Sequence, residues 1–144
     1  MEAFHLGDQT FYFDKSATEA AYALLVGGDA DRCGCDACRN FALQRTTAYP
    51  PEFHALTDRL GIHPLKEGEA VHYGPESSDQ HVYGGWFYFV GTMEVPGEFQ
   101  IRENGFSYFI GTRFPKPPAP FQGQPVLALE FMTRLRWALA TPTE

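Results

Sequence analysis

The first part of the chain alternates between short apolar runs and turn-forming polar residues. Residues 4–6 and 11–13 are apolar runs on either side of a polar turn, which predicts a small N-terminal hairpin. Ser16 then stands three residues before Glu19, the spacing of a capping box, and predicts a helix that continues to Val26. A strand over residues 22–26 that leads directly into the next segment is the alternative.

Two further helices are predicted before the middle of the chain. Asp36 can cap a helix over residues 37–46, and Pro50 breaks it because proline has no N–H to donate. A helix over residues 51–60 follows, and Gly61 ends it. The apolar-leaning face of the first of these two helices carries Cys38, Phe41, Ala42 and Arg45.

The second half of the chain changes from helical to extended periodicity. Strands are predicted over residues 71–73 and 81–92. The Asn-Gly pair at 104–105 tolerates positive φ, which predicts that residues 98–112 form a hairpin that turns there. Alternation over residues 126–137 predicts a long final strand, with a C-terminal helix as the alternative.

These elements predict an α+β fold with helices early in the chain. The sheet is expected to be antiparallel, with four to five strands in the C-terminal two-thirds. We find no linker and no internal repeat, so residues 1–144 are expected to form a single globular domain.

Composition and charge narrow the range of partners. Hydrophobic residues make up 44% of the chain, which is typical of a globular protein, and the net charge is −7. That charge disfavours nucleic acid and anionic membrane surfaces. The partner itself stays open, with another protein and a second copy of the chain as the alternatives. An odd number of cysteines without an export signal predicts a soluble protein of the reducing cytoplasm.

The three cysteines of the chain stand within six residues of one another, at Cys33, Cys35 and Cys38. In an extended segment Cys33 and Cys35 would share one face, and Cys38 would return to it from the first turn of a helix. Three converging thiolates suit zinc, and Arg32 and Arg39 would offset their charge. A structural zinc site needs a fourth ligand. The sequence leaves that choice open among His5, His54, His63, His72 and His81.

Two other interpretations of the cysteine cluster stay open. In one of them, the three thiols bind nothing and pack only as small buried apolar groups. In the other, Cys35 and Cys38 form a C-x-x-C pair at a helix N-terminus and carry out thiol redox chemistry. Asp36 opposes this second interpretation, because its negative charge disfavours a nearby thiolate.

A second group of polar side chains lies on the first two strands of the predicted sheet. If those strands pair, His72 and His81 approach each other, with Tyr73 and Tyr83 nearby. Histidine titrates near neutral pH and could serve in acid–base chemistry. The simpler interpretation is a pair of half-exposed histidines that bind backbone or water, because no nucleophile or carboxylate is fixed beside them. The adjacent glycines 84–85 predict a bulge or a close approach by another backbone or ring.

Three sequence blocks together resemble a small group of uncharacterised bacterial proteins. They are CGCDACRNF at 33–41, YPPEF at 49–53 and YGGWF at 83–87. The resemblance implies a bacterial, cytoplasmic protein, and it brings no activity, ligand or catalytic residue with it.

The leading functional hypothesis is a non-catalytic binding or interaction domain whose cysteine cluster is structural, with zinc binding by Cys33, Cys35 and Cys38 left open as one interpretation of that cluster. It depends on the cluster and on the absence of an assembled acid, base and nucleophile in the sequence. The alternative is an enzyme, either a thiol oxidoreductase that uses Cys35 and Cys38 or a zinc-dependent hydrolase.

Overall fold

A computed structural model describes residues 1–97, 101–103 and 105–140 of the chain. In this part of the chain, four helices and seven strands follow one another in the order β1 Glu2–Leu6, β2 Gln9–Phe13, α1 Lys15–Ala23, α2 Asp29–Cys33, α3 Asp36–Ala48, α4 Pro51–Leu60, β3 Glu69–Pro75, β4 Gln80–Val95, β5 Ile101–Glu103, β6 Phe106–Gly111 and β7 Val126–Arg136.

The sheet is organised around β4, its longest strand. The strand order is β1-β2-β4-β7-β6-β5, and every pairing is antiparallel. β7 follows one edge of β4 from Gln80↔Arg136 to Val90↔Val126. The other edge is shared, because β3 pairs with the first part of β4 and β2 pairs with its last residues.

The α+β class predicted from the sequence is confirmed, but the predicted sheet of four to five strands in the C-terminal two-thirds is wrong. The sheet has seven strands in the described chain, and two of them, β1 and β2, come before the first helix. The predicted N-terminal hairpin exists, yet it extends the main sheet because β4 continues past Thr92 to Val95 and offers β2 an edge. The alternating side chains Phe11 and Phe13 are buried in the same core as those of β4.

The helix boundaries follow local signals. α4 begins at Pro51, whose missing N–H costs nothing in the first turn, and it ends at Gly61 with φ 82°, as predicted. α1 begins earlier than predicted, because Asp14 caps it by accepting a 3.0 Å hydrogen bond from the N–H of Ala17. It ends at Ala23, and the alternative strand over residues 22–26 is not formed.

The helices pack on the sheet through aromatic side chains. Tyr49 and Phe53 lie at the junction of α3 and α4, and each ring contacts Phe87 of β4 and Phe131 of β7. Phe53 and Phe87 are completely buried. The aromatic run in β4 therefore belongs to the core, which explains why large rings occupy successive positions of that strand.

The glycines 84–85 mark a close approach, as predicted. A Cβ atom on Gly85 would lie 2.2 Å from the carbonyl oxygen of Glu69, and one on Gly84 would lie 2.9 Å from the ring of Tyr73. The ring that lies over Gly84 is that of Tyr73. β3 can pair this closely with β4 only because both positions lack a side chain.

The predicted 98–112 hairpin is formed by β5 and β6, with Ile101 opposite Tyr108. Gly105 has φ 78°, so the turn uses the positive φ expected of it. Residues 98–100 and Asn104 lie outside the described residues. The final strand β7 is confirmed over its helical alternative, and in the described chain no helix is long and apolar enough to cross a membrane.

Candidate functional site

The three cysteines lie at a corner between two helices, which we call the cysteine corner (residues 33–38). Cys33 is the last residue of α2, and Gly34 turns the chain with φ 77°. Cys35 caps α3, and its Sγ atom accepts a 3.3 Å hydrogen bond from the N–H of Cys38 in the first turn. The predicted extended segment is wrong, because five residues before Gly34 form a helix that is too short to leave a periodic pattern.

The corner nevertheless brings the three sulfur atoms together. The Cys33 thiol donates to the Sγ atom of Cys35 at 3.1 Å, and all three Sγ atoms lie within 4.8 Å of one another. Two sulfur atoms on one zinc ion are about 3.8 Å apart, because Zn–S bonds are about 2.3 Å long and tetrahedrally arranged. The cluster could therefore hold a metal ion after small side-chain rotations.

The thiols differ in their surroundings. Cys33 and Cys35 are exposed, and Cys38 is partly buried. The hydrogen bonds of Cys38 and Cys35 lower the pKa of the Cys33 thiol, and burial followed by its cysteine neighbours strongly raises the pKa of the Cys38 thiol. Packing as buried apolar groups, one of the interpretations left open by the sequence, does not describe Cys33 and Cys35.

Arg32 and Arg39 flank the corner, but each already faces a carboxylate. Arg39 donates to Asp36 at 3.0 Å, and Arg32 lies 4.0 Å from Asp29. The predicted offset of thiolate charge by these two arginines is therefore reduced, because both form ion pairs on their own helix.

The expected fourth ligand is not found among the five histidines. Across residues 1–97, 101–102 and 105–140, no histidine, aspartate or glutamate joins the three cysteines at ligand distance. The histidines form other contacts: His5 with Thr10, His54 with the carbonyl of Thr46, His63 with the N–H of Leu65, and His72 with His81. A fourth ligand of a bound metal would therefore come from outside this part of the chain, for example from water or another molecule.

The predicted approach of His72 and His81 is confirmed, and the two bind each other at 2.8 Å from Nε2 to Nδ1. His81 is buried, so the half-exposed pair bound to backbone or water is wrong. The rings stack in an aromatic cluster with Tyr83 and Trp137. Burial and His81 lower the pKa of His72.

Within the described chain neither histidine binds a carboxylate, and the Nε2 atom of His81 has no hydrogen-bond partner there. A base without an orienting carboxylate or a nearby nucleophile lacks the parts of a catalytic group. In the structure the two rings pack between β3, β4 and Trp137, which follows β7.

A buried ion network, Asp31–Arg45–Glu67, anchors the corner. Arg45 of α3 donates to Asp31 of α2 at 2.9 and 3.0 Å, and to Glu67 at 2.8 Å. Glu67 is wholly buried and also accepts from the N–H of Ala30 at 3.3 Å. The network joins both helices of the corner to the segment before β3. It therefore holds the backbone that carries the cysteines in a fixed position.

The charges of this network respond differently to their surroundings. Burial raises the pKa of Glu67 above its ordinary value, against the opposing attraction of Arg45. Burial also opposes ionisation of Asp31, yet the N–H of Gly28 and the guanidinium of Arg45 hold its pKa below the ordinary value. Gly28 is needed for this packing, because a Cβ atom there would lie 1.7 Å from Oε2 of Glu67.

Sequence reasoning missed this network. Asp31 and Glu67 are separated from Arg45 by 14 and 22 residues, and each resembles an ordinary surface charge in the sequence. The available signal was Arg45, which shares a helix face with Phe41 and Ala42 and therefore points inward.

Known proteins add no functional information. No protein-family model, no curated protein and no solved structure matches the chain. The resemblance of the blocks at 33–41, 49–53 and 83–87 to a bacterial group stays a prediction. In the structure these blocks form the cysteine corner, the aromatic junction of α3 with α4, and the centre of β4.

Proposed function

We propose that this chain is a non-catalytic binding domain whose cysteine corner holds zinc through Cys33, Cys35 and Cys38. The observation that carries the proposal is the convergence of three Sγ atoms within 4.8 Å at one solvent-facing turn. Thiolates are preferred ligands of zinc, and three of them set most of a tetrahedral site.

The fourth position of this zinc site opens toward solvent. Cys33 and Cys35 are exposed, and the histidine, aspartate and glutamate side chains of the described chain stay outside ligand distance. A water molecule or a donor group of a partner protein completes the tetrahedron. The buried ion network keeps the three sulfur atoms in place, so the metal finds a prearranged site.

The test is the metal content of protein purified under reducing conditions. We expect about one equivalent of zinc per chain by elemental mass spectrometry, and close to none in a Cys33→Ser/Cys35→Ser/Cys38→Ser variant. His63→Gln is the control, because this histidine is exposed and lies outside the cluster. Wild-type protein that takes up no zinc from a buffered solution would overturn the proposal.

Cobalt substitution tests the ligand set. Co²⁺ adopts the coordination of zinc and shows thiolate-to-metal bands whose intensity follows the number of sulfur ligands. We expect the intensity of a three-thiolate site, and a stepwise decrease in single Cys→Ser variants. An intensity that does not change in any single variant would contradict this ligand set.

The open fourth position favours one catalytic alternative, a zinc-dependent hydrolase that activates water there. This alternative needs a general base, and the nearest carboxylate in sequence, Asp36, is already paired with Arg39. Hydrolysis of 4-nitrophenyl acetate by the zinc-loaded protein, absent from the triple serine variant, would support the alternative over the non-catalytic domain.

A further inference from the structure

The two exposed sulfur atoms of the corner are already in contact. The Cys33 thiol donates to the Sγ atom of Cys35 at 3.1 Å, and both side chains face solvent. A disulfide bond is about 2.05 Å long, so about 1 Å of further approach closes it. Rotation about the Cα–Cβ bonds of the two cysteines is enough for a movement of this size.

The backbone between the two cysteines also fits a disulfide. Two residues cover at most about 7 Å when extended, and the turn at Gly34 shortens this span. Disulfides need Cα atoms about 4.4–6.8 Å apart. Gly34 has φ 77°, and apart from its two chain neighbours no atom lies within 4 Å of the position where its Cβ would stand, so packing does not confine the turn.

The third cysteine is a poorer partner. Cys38 is partly buried in the first turn of α3, while Cys33 and Cys35 are exposed. An oxidant that arrives from solvent therefore meets Cys33 and Cys35 first. This geometry favours the C-x-C pair over the C-x-x-C pair of Cys35 and Cys38 that the sequence suggested.

We infer that Cys33 and Cys35 form a reversible disulfide when the protein meets a small disulfide such as oxidised glutathione. One of the two cysteines attacks the glutathione disulfide as a thiolate, forms a mixed disulfide and releases one glutathione. The other cysteine displaces the second glutathione. The two cysteine protons end on the two glutathione thiols, so the protein loses two hydrogens and the oxidant gains them.

This oxidation also removes two of the three proposed zinc ligands. The further consequence, which rests on the proposed function, is that oxidation releases zinc while the buried ion network keeps the helices in place. The cysteine corner would then release zinc when it is oxidised and bind zinc again when it is reduced.

Peptide mapping identifies the disulfide in metal-free protein. After treatment with oxidised glutathione and alkylation of the remaining thiols, trypsin releases the peptide 33–39 because Arg32 and Arg39 bound it. A protease that cleaves before aspartate then separates 33–35 from 36–39. We expect 33–35 without alkylation and two hydrogens lighter, and 36–39 with one alkyl group. Peptides that remain joined, or oxidation that stops at glutathione adducts, would overturn the inference.

Single variants test the same pairing by rate. Cys38→Ser should oxidise at the wild-type rate, whereas Cys33→Ser and Cys35→Ser should stop at the mixed disulfide. Loss of rapid disulfide formation in Cys38→Ser would show that Cys38 is the true partner.

A second experiment separates this inference from the zinc proposal. Zinc-loaded protein is treated with oxidised glutathione in the presence of a chromophoric zinc chelator, and we expect zinc release to follow disulfide formation at the same rate. If the protein never binds zinc, the proposed function fails, and the peptide map still decides the disulfide. If zinc is bound and the disulfide forms without release, the regulatory part of the inference is wrong.

Discussion

The cysteine corner and the buried ion network share the helices α2 and α3, yet they differ in what their groups can do. The corner exposes two thiols to solvent, where they can bind, exchange and react. The network places Glu67 fully out of water and leaves the Arg45 side chain 9% exposed. The comparison shows that the exposed thiols of this region lie outside the core, while Arg45 and Glu67, which join its helices to the segment before β3, are removed from solvent.

Breaking the buried ion network should lower the free energy of unfolding more than any of the changes that follow. Arg45→Met removes the guanidinium between Asp31 and Glu67 and leaves a buried carboxylate without a counter-charge. We expect the free energy of unfolding at neutral pH to fall by about 3–5 kcal/mol in urea titrations. Arg134→Met is the matched control, since Arg134 pairs with Glu76 on the surface, and its unfolding free energy should stay nearly unchanged.

The loss in Arg45→Met should depend on pH. Burial already raises the pKa of Glu67 above 4.5 in the folded wild-type protein, and removal of Arg45 raises it further. A folded pKa above the unfolded one means that stability is greatest when the group is protonated and falls as pH rises through the folded pKa. The variant should therefore recover stability as pH is lowered toward 4.5. A loss that is the same at every pH would mean that Glu67 is not the unpaired charge.

Gly28→Ala disturbs the network through space alone. Gly28 has φ −97°, so an alanine meets no backbone strain, but its Cβ would lie 1.7 Å from Oε2 of Glu67. We expect a loss of about 1–3 kcal/mol by urea unfolding. In a Glu67→Ala background the same substitution should cost little, because the obstructing carboxylate is absent; equal costs in both backgrounds would contradict the proposed contact.

Tyr83→Phe tests the bond between the sheet and the start of α3. The Tyr83 hydroxyl donates to the carbonyl of Ala37 at 2.9 Å and accepts from Asn40 at 3.2 Å. Its removal should cost about 1 kcal/mol, measured by the thermal midpoint or urea titration. The control is Tyr73→Phe, whose ring is largely exposed and which should show no change.

The smallest effect on stability is expected at the corner itself. Cys33→Ser replaces an exposed thiol, so the thermal midpoint of the metal-free protein should stay at the wild-type value while zinc uptake falls. A clear drop in the thermal midpoint of the metal-free variant would contradict this difference between the corner and the network, because the Cys33 thiol would then stabilise the fold directly.

Much of the fold could be predicted because its signals are local. Proline and glycine bound α4, and the pattern of β7 is strictly alternating over most of its length. The cap of α1 was misplaced because Ser16 and Asp14 both suit a helix start, and only the hydrogen bond to Ala17 decides between them. The docking of β2 on β4 joins residues about 80 apart along the chain, and no local pattern records it.

The candidate site also has a part that local sequence predicts and a part that it does not. The cysteines could be found because they are close in sequence, whereas the corner that unites them needs a short helix without periodicity. The ion network was hidden because charged residues are usually at the surface, and burial of Arg45 and Glu67 is decided by their mutual pairing in three dimensions. Sequence thus identifies the reactive atoms, and the structure supplies their support.

The arrangement of β4 has a consequence for how the chain reaches this structure. β4 pairs with β2 from the start of the chain and, along its other edge, with β7, the last strand described. Such distant pairings slow folding, because the entropy of closing a large loop is lost before the contacts that stabilise it can form. Proteins dominated by these pairings fold in about milliseconds to seconds. During synthesis, one edge of β4 has no partner strand until β7 has been made, and such an unpaired edge makes a partly made chain prone to aggregation.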